Sequence, residues 1–399
     1  MTHENHISYT FLYTVVIMAR NTNGKGFSLK DHLFNEQKVR GLGDRFAAVD
    51  VNFNAEIFVE KVMTTLPVLE LKQRVVCITE GLEAQLPKDF KKASKIIIKA
   101  LPPPLDPTKT DDDFGDFIFA PLGEYVVRNG LRKNNVATSL ATLQEITQRF
   151  SMEDSIRYFI NTFEEDTLQE LESWIGHTSY HVRRLVSEGT RPLLPWSGRL
   201  NIPVSVPLPF LDALHADGTR YVTRSIANHM NDIAKIESDL VVQTLLRWKK
   251  EEKQDVMELD WMTRHSLRTL LKQGHSGALE LLGYHTKPKI TVEQFSLSSD
   301  SKKIVPGDPL TFSFTVTAQK NEKLMIDYVI DFVKANGQTK PKVFKLKKID
   351  IQKGECVEIS KNHRLLANAT TFTLYPGKHR LTLQINGVQH ESLDFEIKE

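Results

Sequence analysis

Apolar residues in the first two thirds of the chain recur every three or four positions, a spacing that gathers them on one face of an α-helix. Phe58, Val59, Val62 and Met63 keep it, as do Leu69, Leu71, Val75 and Ile78. Pro102-Pro103-Pro104 and Asp106-Pro107 interrupt the pattern, and Asp111-Asp112-Asp113 reads as a solvated loop. Helices resume at Pro121 with Leu122, Tyr125 and Val126, then Leu140, Leu143 and Ile146. After Lys287-Pro288 the period drops to two. Thr311–Thr317, Val343–Lys347, Arg380–Ile385 and Leu393–Ile397 alternate, separated by turn signals at Pro306-Gly307-Asp308, Asn336-Gly337, Lys353-Gly354, Pro376-Gly377 and Asn386-Gly387. Seven or eight short strands in about 110 residues predict an immunoglobulin-like sandwich without an inter-sheet disulfide.

The helical part also repeats itself. His181-Val-Arg-Arg, Tyr221-Val-Thr-Arg and Trp261-Met-Thr-Arg lie 40 residues apart, each with a ring first and an arginine fourth: Arg184, Arg224 and Arg264. A helix precedes each (Leu168, Leu171, Trp174; Phe210, Leu211, Leu214; Val241, Leu245, Trp248). Such a period is that of HEAT-type repeats, which stack into a curved array with a concave face. The expected fold is therefore an all-α HEAT-like repeat superhelix, an α-solenoid, followed by an all-β immunoglobulin-like sandwich. The expected domains are residues 20–284 and 285–399, joined by a linker short enough to restrict their placement. Prolines at 192, 195, 203, 207 and 209 make an ordered loop within the array. Ile7–Ala19 is apolar but too short to span a bilayer, and no positive charge precedes it. Residues 1–19 read as a non-native or disordered extension, with synthesis starting at Met18.

Composition adds two points. Of 52 Lys+Arg and 50 Asp+Glu, Thr286–Glu399 holds 18 and 13, so a basic module follows a slightly acidic body. The two cysteines, Cys77 and Cys356, are too few for a disulfide framework or a cysteine metal site, which points to a reducing cytosol. The histidines show no metal-ligand spacing, and neither a metal nor a cofactor is expected.

Residues three and four apart share a helix face. One face joins Arg184 and Glu188 and, past its end, Arg191; the next joins Arg224, Asn228 and Asp232; the third joins Arg264, Arg268 and Lys272. The third is purely basic and suits a row of phosphates. The first two mix cations with carboxylates, which a simple polyanion-binding surface avoids. Against this stands a plainer account: Arg184–Glu188 as an i, i+4 ion pair, and the arginine column as a ladder binding its own loops. Upstream lies Gln148-Arg149-Phe150-Ser151-Met152-Glu153-Asp154-Ser155-Ile156-Arg157. There Ser151 is a candidate N-cap, and Glu153 and Asp154 complement a helix start. Trp196 follows a proline in the loop after Arg191. It reads as a core plug or as a platform for a cationic ring.

Gln148–Arg157, His181–Trp196, Asn228–Lys235 and Arg264-His-Ser-Leu-Arg-Thr-Leu together resemble the AlkC branch of the AlkC/AlkD alkylpurine DNA glycosylases. That match covers roughly 27–284. Asp327–Lys345 resembles the Ig-like domain of the longer AlkC subtype. The resemblance implies monofunctional hydrolysis of the N-glycosidic bond of 3-methyladenine and 3-methylcytosine in base excision repair, without deep base flipping. By motif matching, Glu153, Glu188, Trp196 and Asp232 fall where the family places its active-site groups.

The chemistry is consistent with acids on a cationic surface. An N3-alkylated base already carries positive charge and leaves neutral, while positive charge develops on the deoxyribose. A carboxylate about 4 Å away offers on the order of 4 kcal/mol at an effective dielectric near 20, about three powers of ten in rate. Asp232 is assigned first to the water and the sugar, with Glu153 and Glu188 as electrostatic partners. Candidate phosphate contacts are Arg149, Arg157, Arg184, Arg191, Arg224, Lys235, Arg264, Arg268 and Lys272. On the sandwich they are Lys340, Lys342, Lys345, Lys347 and Lys348. The expected partner is duplex DNA containing alkylated bases, bound by a monomer with no membrane and no obligate protein partner. The alternatives are a non-catalytic helical scaffold and a DNA-damage binder without turnover.

Overall fold

The computed structural model describes residues 28–111, 113–367 and 373–398. The expectation for residues 1–19 lies outside the described residues. Two compact units result: Met1–Ile233 with Glu251–Met262, and Ala234–Lys250 with Thr263–Glu399.

The first unit is helical. Side-chain caps start several helices where the apolar period predicts them. The Asn35 side chain accepts from Lys38 N at 3.1 Å to open Glu36–Ala47, and Asn54 accepts from Ile57 N to open Ala55–Met63. These two helices pack on each other, Leu71–Gln85 packs on Ala120–Gly130, and Val136–Thr147 receives both Ala120–Gly130 and Phe90–Ala100. Phe34, Phe46, Phe58, Ile78, Leu82 and Ile97 are fully buried between them. Further along, Tyr180–Gly189 lies against Arg220–Ile233, so the segments containing Arg184 and Arg224 become neighbours.

The proline-rich connection after Ala100 does not run free. Leu105 N donates to Gln148 O at 3.0 Å, and Asp116 N donates to Arg149 O at 3.2 Å. Gly115 makes this crossing possible: its φ is +70°, and a Cβ there would lie 1.8 Å from the Arg149 carbonyl oxygen. The expected solvated loop is instead docked at Asp111. Tyr221 N donates to Thr110 O at 2.9 Å, and the Asp111 carboxylate pairs with Arg224. A cation on the neighbouring helix outcompetes water for that aspartate.

In the second unit, β1 (Ile290–Leu297), β3 (Pro309–Ala318) and β6 (Cys356–Arg364) form one sheet in the order β1-β3-β6. The other is β2-β8-β7-β4-β5, built from β2 (Lys303–Ile304), β4 (Glu322–Val333), β5 (Thr339–Ile351), β7 (Gly377–Ile385) and β8 (Val388–Ile397). All pairings are antiparallel except β2 with β8. The alternating residues Phe312, Phe314 and Val316 of β3 meet Leu324, Ile326, Tyr328 and Ile330 of β4 in one apolar core. This unit also takes in helical residues before 285. Helix Arg268–Gln273 ends at Gly274, whose backbone sits so close to Gly387 of the β7–β8 hairpin that a Cβ on Gly387 would lie 2.4 Å from the Gly274 Cα. Gln384 Nε2 donates to Lys272 O at 3.3 Å beside it.

Candidate active site and cationic surface

In the first unit the mixed faces close into one chain of alternating charge. Arg191 follows the end of helix Tyr180–Gly189 and folds back on it. Its Nη1 donates to Glu188 Oε1 at 2.6 Å, while Nε and Nη2 donate to Asp232 Oδ2 at 2.9 and 2.7 Å. Glu188 Oε2 accepts from Ser225 Oγ at 2.6 Å and lies 3.5 Å from Arg184 Nη2. Arg184 Nη1 in turn donates to Glu153 Oε2 at 2.9 Å and to Ser151 Oγ at 3.0 Å, with its guanidinium 4.5 Å from the centre of the Tyr221 ring. Three carboxylates thus share two guanidiniums.

Burial alone would raise the Glu188 carboxyl, but the charges of Arg191 and Arg184 and the Ser225 hydroxyl outweigh it and hold its pKa near 2. The carboxylates in turn raise both guanidinium pKa values against the burial that would lower them. His229, buried beneath, is pushed down to about 4 by burial and by the Arg191 charge, so it is neutral. Its Nδ1 donates to Ser187 O at 3.0 Å, and its Nε2 has no hydrogen-bond partner among the described residues.

Exposure separates the acids. Glu188 and Asp232 are 4% and 2% exposed, whereas the Glu153 side chain is 31% exposed. The Asp232 carboxylate, expected beside an attacking water and a sugar, accepts from Arg191 and is buried in the unbound protein. Ser151 does not cap a helix. The helix Ser155–Thr162 begins four residues later, and Ser151 Oγ instead donates to Glu153 Oε2 at 2.9 Å. Glu153 is therefore turned toward Arg184 rather than spent on a helix start. Trp196 is not a core plug: it is 47% exposed and holds a left-handed backbone with φ 74°. For a tryptophan this conformation is strained, and such strain clusters at functional sites. A cavity of about 770 Å³ elsewhere in this unit, lined by Leu105, Phe117, Arg149 and Phe150 among others, includes none of Glu153, Glu188, Trp196 or Asp232. Among the described residues, no group of His, Cys, Asp or Glu is placed to hold a metal ion.

The second unit carries a different arrangement. Arg264 and Lys272 are exposed, Arg268 is half-buried, and Lys340, Lys342, Lys345, Lys347 and Lys348 are exposed along β5, the edge strand of its sheet. Partial desolvation, then the like charges of Lys345 and Arg264, lower the Lys348 pKa, while nearby Asp327 opposes them. Helical and sandwich cations therefore crowd one region of this unit.

Residues 291–399 match the family described as the C-terminal Ig-like domain of the uncharacterised protein YhaZ. YhaZ of Bacillus subtilis (strain 168), an uncharacterised protein, is 33% identical over 369 residues, spanning 92% of this chain and 98% of that relative. The structure of Pseudomonas fluorescens alkylpurine DNA glycosylase AlkC, bound to DNA containing an abasic site analog, matches with a TM-score of 0.81 at 31% identity. The match covers 94% of this chain and 100% of that one. The chain belongs to the AlkC family. It has that family's longer form, with the Ig-like domain at the C-terminus.

Within this AlkC-family fold, three of the expected phosphate contacts are buried on internal partners. Arg149 is buried and donates to Pro102 O and Glu145 O. Arg157, 2% exposed, donates to three main-chain carbonyls, and Arg191 is consumed by Glu188 and Asp232. All three guanidiniums are buried, and Arg157 Nη2 has no hydrogen-bond partner among the described residues. Arg184 and Arg224 are half-buried, each already facing a carboxylate, and Lys235 is exposed. Sequence reasoning missed Ser225 and His229, which brace Glu188 and the Ser187 carbonyl. The only available signal was their place one repeat after Ser187 and Glu188. No helix among the described residues is long and apolar enough to cross a membrane.

Proposed function

We propose that this protein is a monofunctional DNA glycosylase that hydrolyses the N-glycosidic bond of cationic alkylated bases, 3-methyladenine and 3-methylcytosine, in duplex DNA. The observation that carries the reading is the carboxylate network with its single solvent-facing acid. Glu153 is held by Arg184 on the surface, backed by Glu188 and Asp232, and the three carboxylates outnumber the two arginines between them. Its kinship with AlkC, whose structure holds DNA with an abasic site analog, supports the same direction.

The roles follow from reach. Glu153 faces the deoxyribose as the bond to the neutral leaving base breaks, and it orients and deprotonates the attacking water. Arg184 fixes the Glu153 rotamer. Glu188 and Asp232 balance the charges of Arg184 and Arg191, so the net negative charge of the network is left to Glu153, the acid nearest solvent. Trp196 offers a ring face to a cationic base. Since Glu153 and Trp196 stand on the surface and not in the large cavity, chemistry without deep flipping fits this site. The protein acts as a monomer with neither metal nor cofactor. Residues 20–284 carry the excision site, and residues 285–399 grip the duplex through Lys340, Lys342 and Lys345, joined by Arg264, Arg268 and Lys272.

The burial of Glu188 and Asp232 favours a second reading, a damage-binding protein without turnover. Incubation with methylated duplex DNA decides between them. Released 3-methyladenine or 3-methylcytosine is the expected result; tight binding with no released base overturns the glycosylase reading.

A further inference from the structure

The segment from Thr190 to Asn201 leaves helix Tyr180–Gly189 and presents Trp196 in a backbone conformation its own sequence disfavours. A left-handed tryptophan is strained and persists only where surroundings enforce it. The loop prolines at 192 and 195 fix their own φ angles, not that of Trp196. Two cations outside the loop grip its main chain. From within, Arg157 donates through Nη1 to Gly189 O at 3.0 Å and Arg191 O at 2.7 Å, and through Nε to Gly198 O at 2.8 Å. One planar guanidinium therefore ties the entrance of the loop to its exit. Asn161, one turn further along the same helix, donates to Arg199 O at 2.9 Å and accepts from Asn201 N at 2.9 Å. From outside, the exposed Lys72 of helix Leu71–Gln85 donates its Nζ to the carbonyl of Trp196 itself.

We infer that Arg157 and Lys72 are positioning residues that set where the Trp196 indole stands. Fixing the carbonyl of residue 196 fixes its peptide plane, and anchoring residue 198 fixes the chain just beyond; together they aim the Cα–Cβ bond. Arg157 belongs to the helix that begins just after Glu153, so one short element sets both the solvent-facing acid and the ring. This inference rests on the glycosylase reading for its functional effect, but its geometric core does not.

Lys72→Met is the informative variant, because Lys72 is exposed and its loss leaves the core untouched. Labelling with 5-fluorotryptophan gives one resonance for each tryptophan, with that of Trp196 assigned by its loss in Trp196→Phe. The expected result is a shifted or broadened Trp196 signal with the other three unmoved. Single-turnover excision of 3-methyladenine at saturating enzyme falls about tenfold, and duplex affinity stays within twofold. Arg157→Lys, which keeps the charge but cannot span three carbonyls, gives the same signature more strongly. An unmoved Trp196 resonance in both variants overturns the inference whatever the activity. So does a loss seen only in affinity with a salt slope shallower by about 0.9, since Lys72 is then a phosphate contact. If the unmodified protein releases no alkylated base, the glycosylase reading fails, while the resonance still decides whether these two cations position Trp196.

Discussion

The two units use cations in opposite ways. In the first, Arg157 and Arg191 are sealed among carbonyls and carboxylates, and Arg184 is locked between Glu153 and Glu188. In the second, lysines line an edge strand, and partial burial together with the like charges of Lys345 and Arg264 pushes Lys348 below its ordinary pKa. A buried arginine with matched acids stiffens a scaffold. A surface lysine crowded by like charges loses nothing when a polyanion arrives, and gains a counter-charge. Residue type alone therefore does not mark a DNA contact; the state of its partners does.

Arg191→Ala breaks this contrast most severely. It leaves Glu188 and Asp232 buried without their shared cation, and a loss of about 3–5 kcal/mol in urea unfolding is expected. A loss under 1 kcal/mol means that the network is not interlocked. Glu153→Gln is expected to keep the fold, since that side chain is partly exposed, yet to slow excision by about 10²–10³-fold at saturating enzyme. Unchanged excision removes Glu153 from the chemistry.

Asp327 sharpens the second unit. Burial raises its carboxyl to about 6 despite Lys345, Lys348 and Lys272, and its Oδ1 has no hydrogen-bond partner among the described residues. A raised folded pKa favours the protonated, folded form, so this contribution is full below about pH 4 and lost as pH rises through 6. Asp327→Asn should stabilise the protein by roughly 1–3 kcal/mol at pH 8 and by little at pH 4; equal effects at both pH values refute the assignment. The smallest change in stability is expected from replacing Lys340, Lys345 and Lys347 with serine. Thermal unfolding should stay put while the log–log salt slope of duplex binding becomes shallower by about 0.9 for each true contact. An unaltered slope leaves β5 without a role in binding.

Periodicity carried most of the fold. Apolar spacing marked Ala55–Met63 and Leu71–Gln85, and alternation marked β3, β7 and β8, because each pattern is local and burial on one face enforces it. The 40-residue repeat even brought the right pairs within reach, since Arg191 meets Asp232 and Ser187 meets Ser225 roughly one period apart. Orientation across the interface was not legible. Whether Arg157 points at phosphates or at the carbonyls of Gly189, Arg191 and Gly198 depends on a loop that closes only in three dimensions. Asp111 likewise looked solvated because Arg224, 113 residues away, is invisible to any local window.

Trp196 combines an unfavourable backbone angle with an exposed ring at a single position. Glycine adopts that angle freely, so Trp196→Gly should relax the loop even as it deletes the indole. A more robust but less active protein is the expected trade under the proposed role of the indole, with a gain in stability on urea unfolding and a loss in excision as the two readouts.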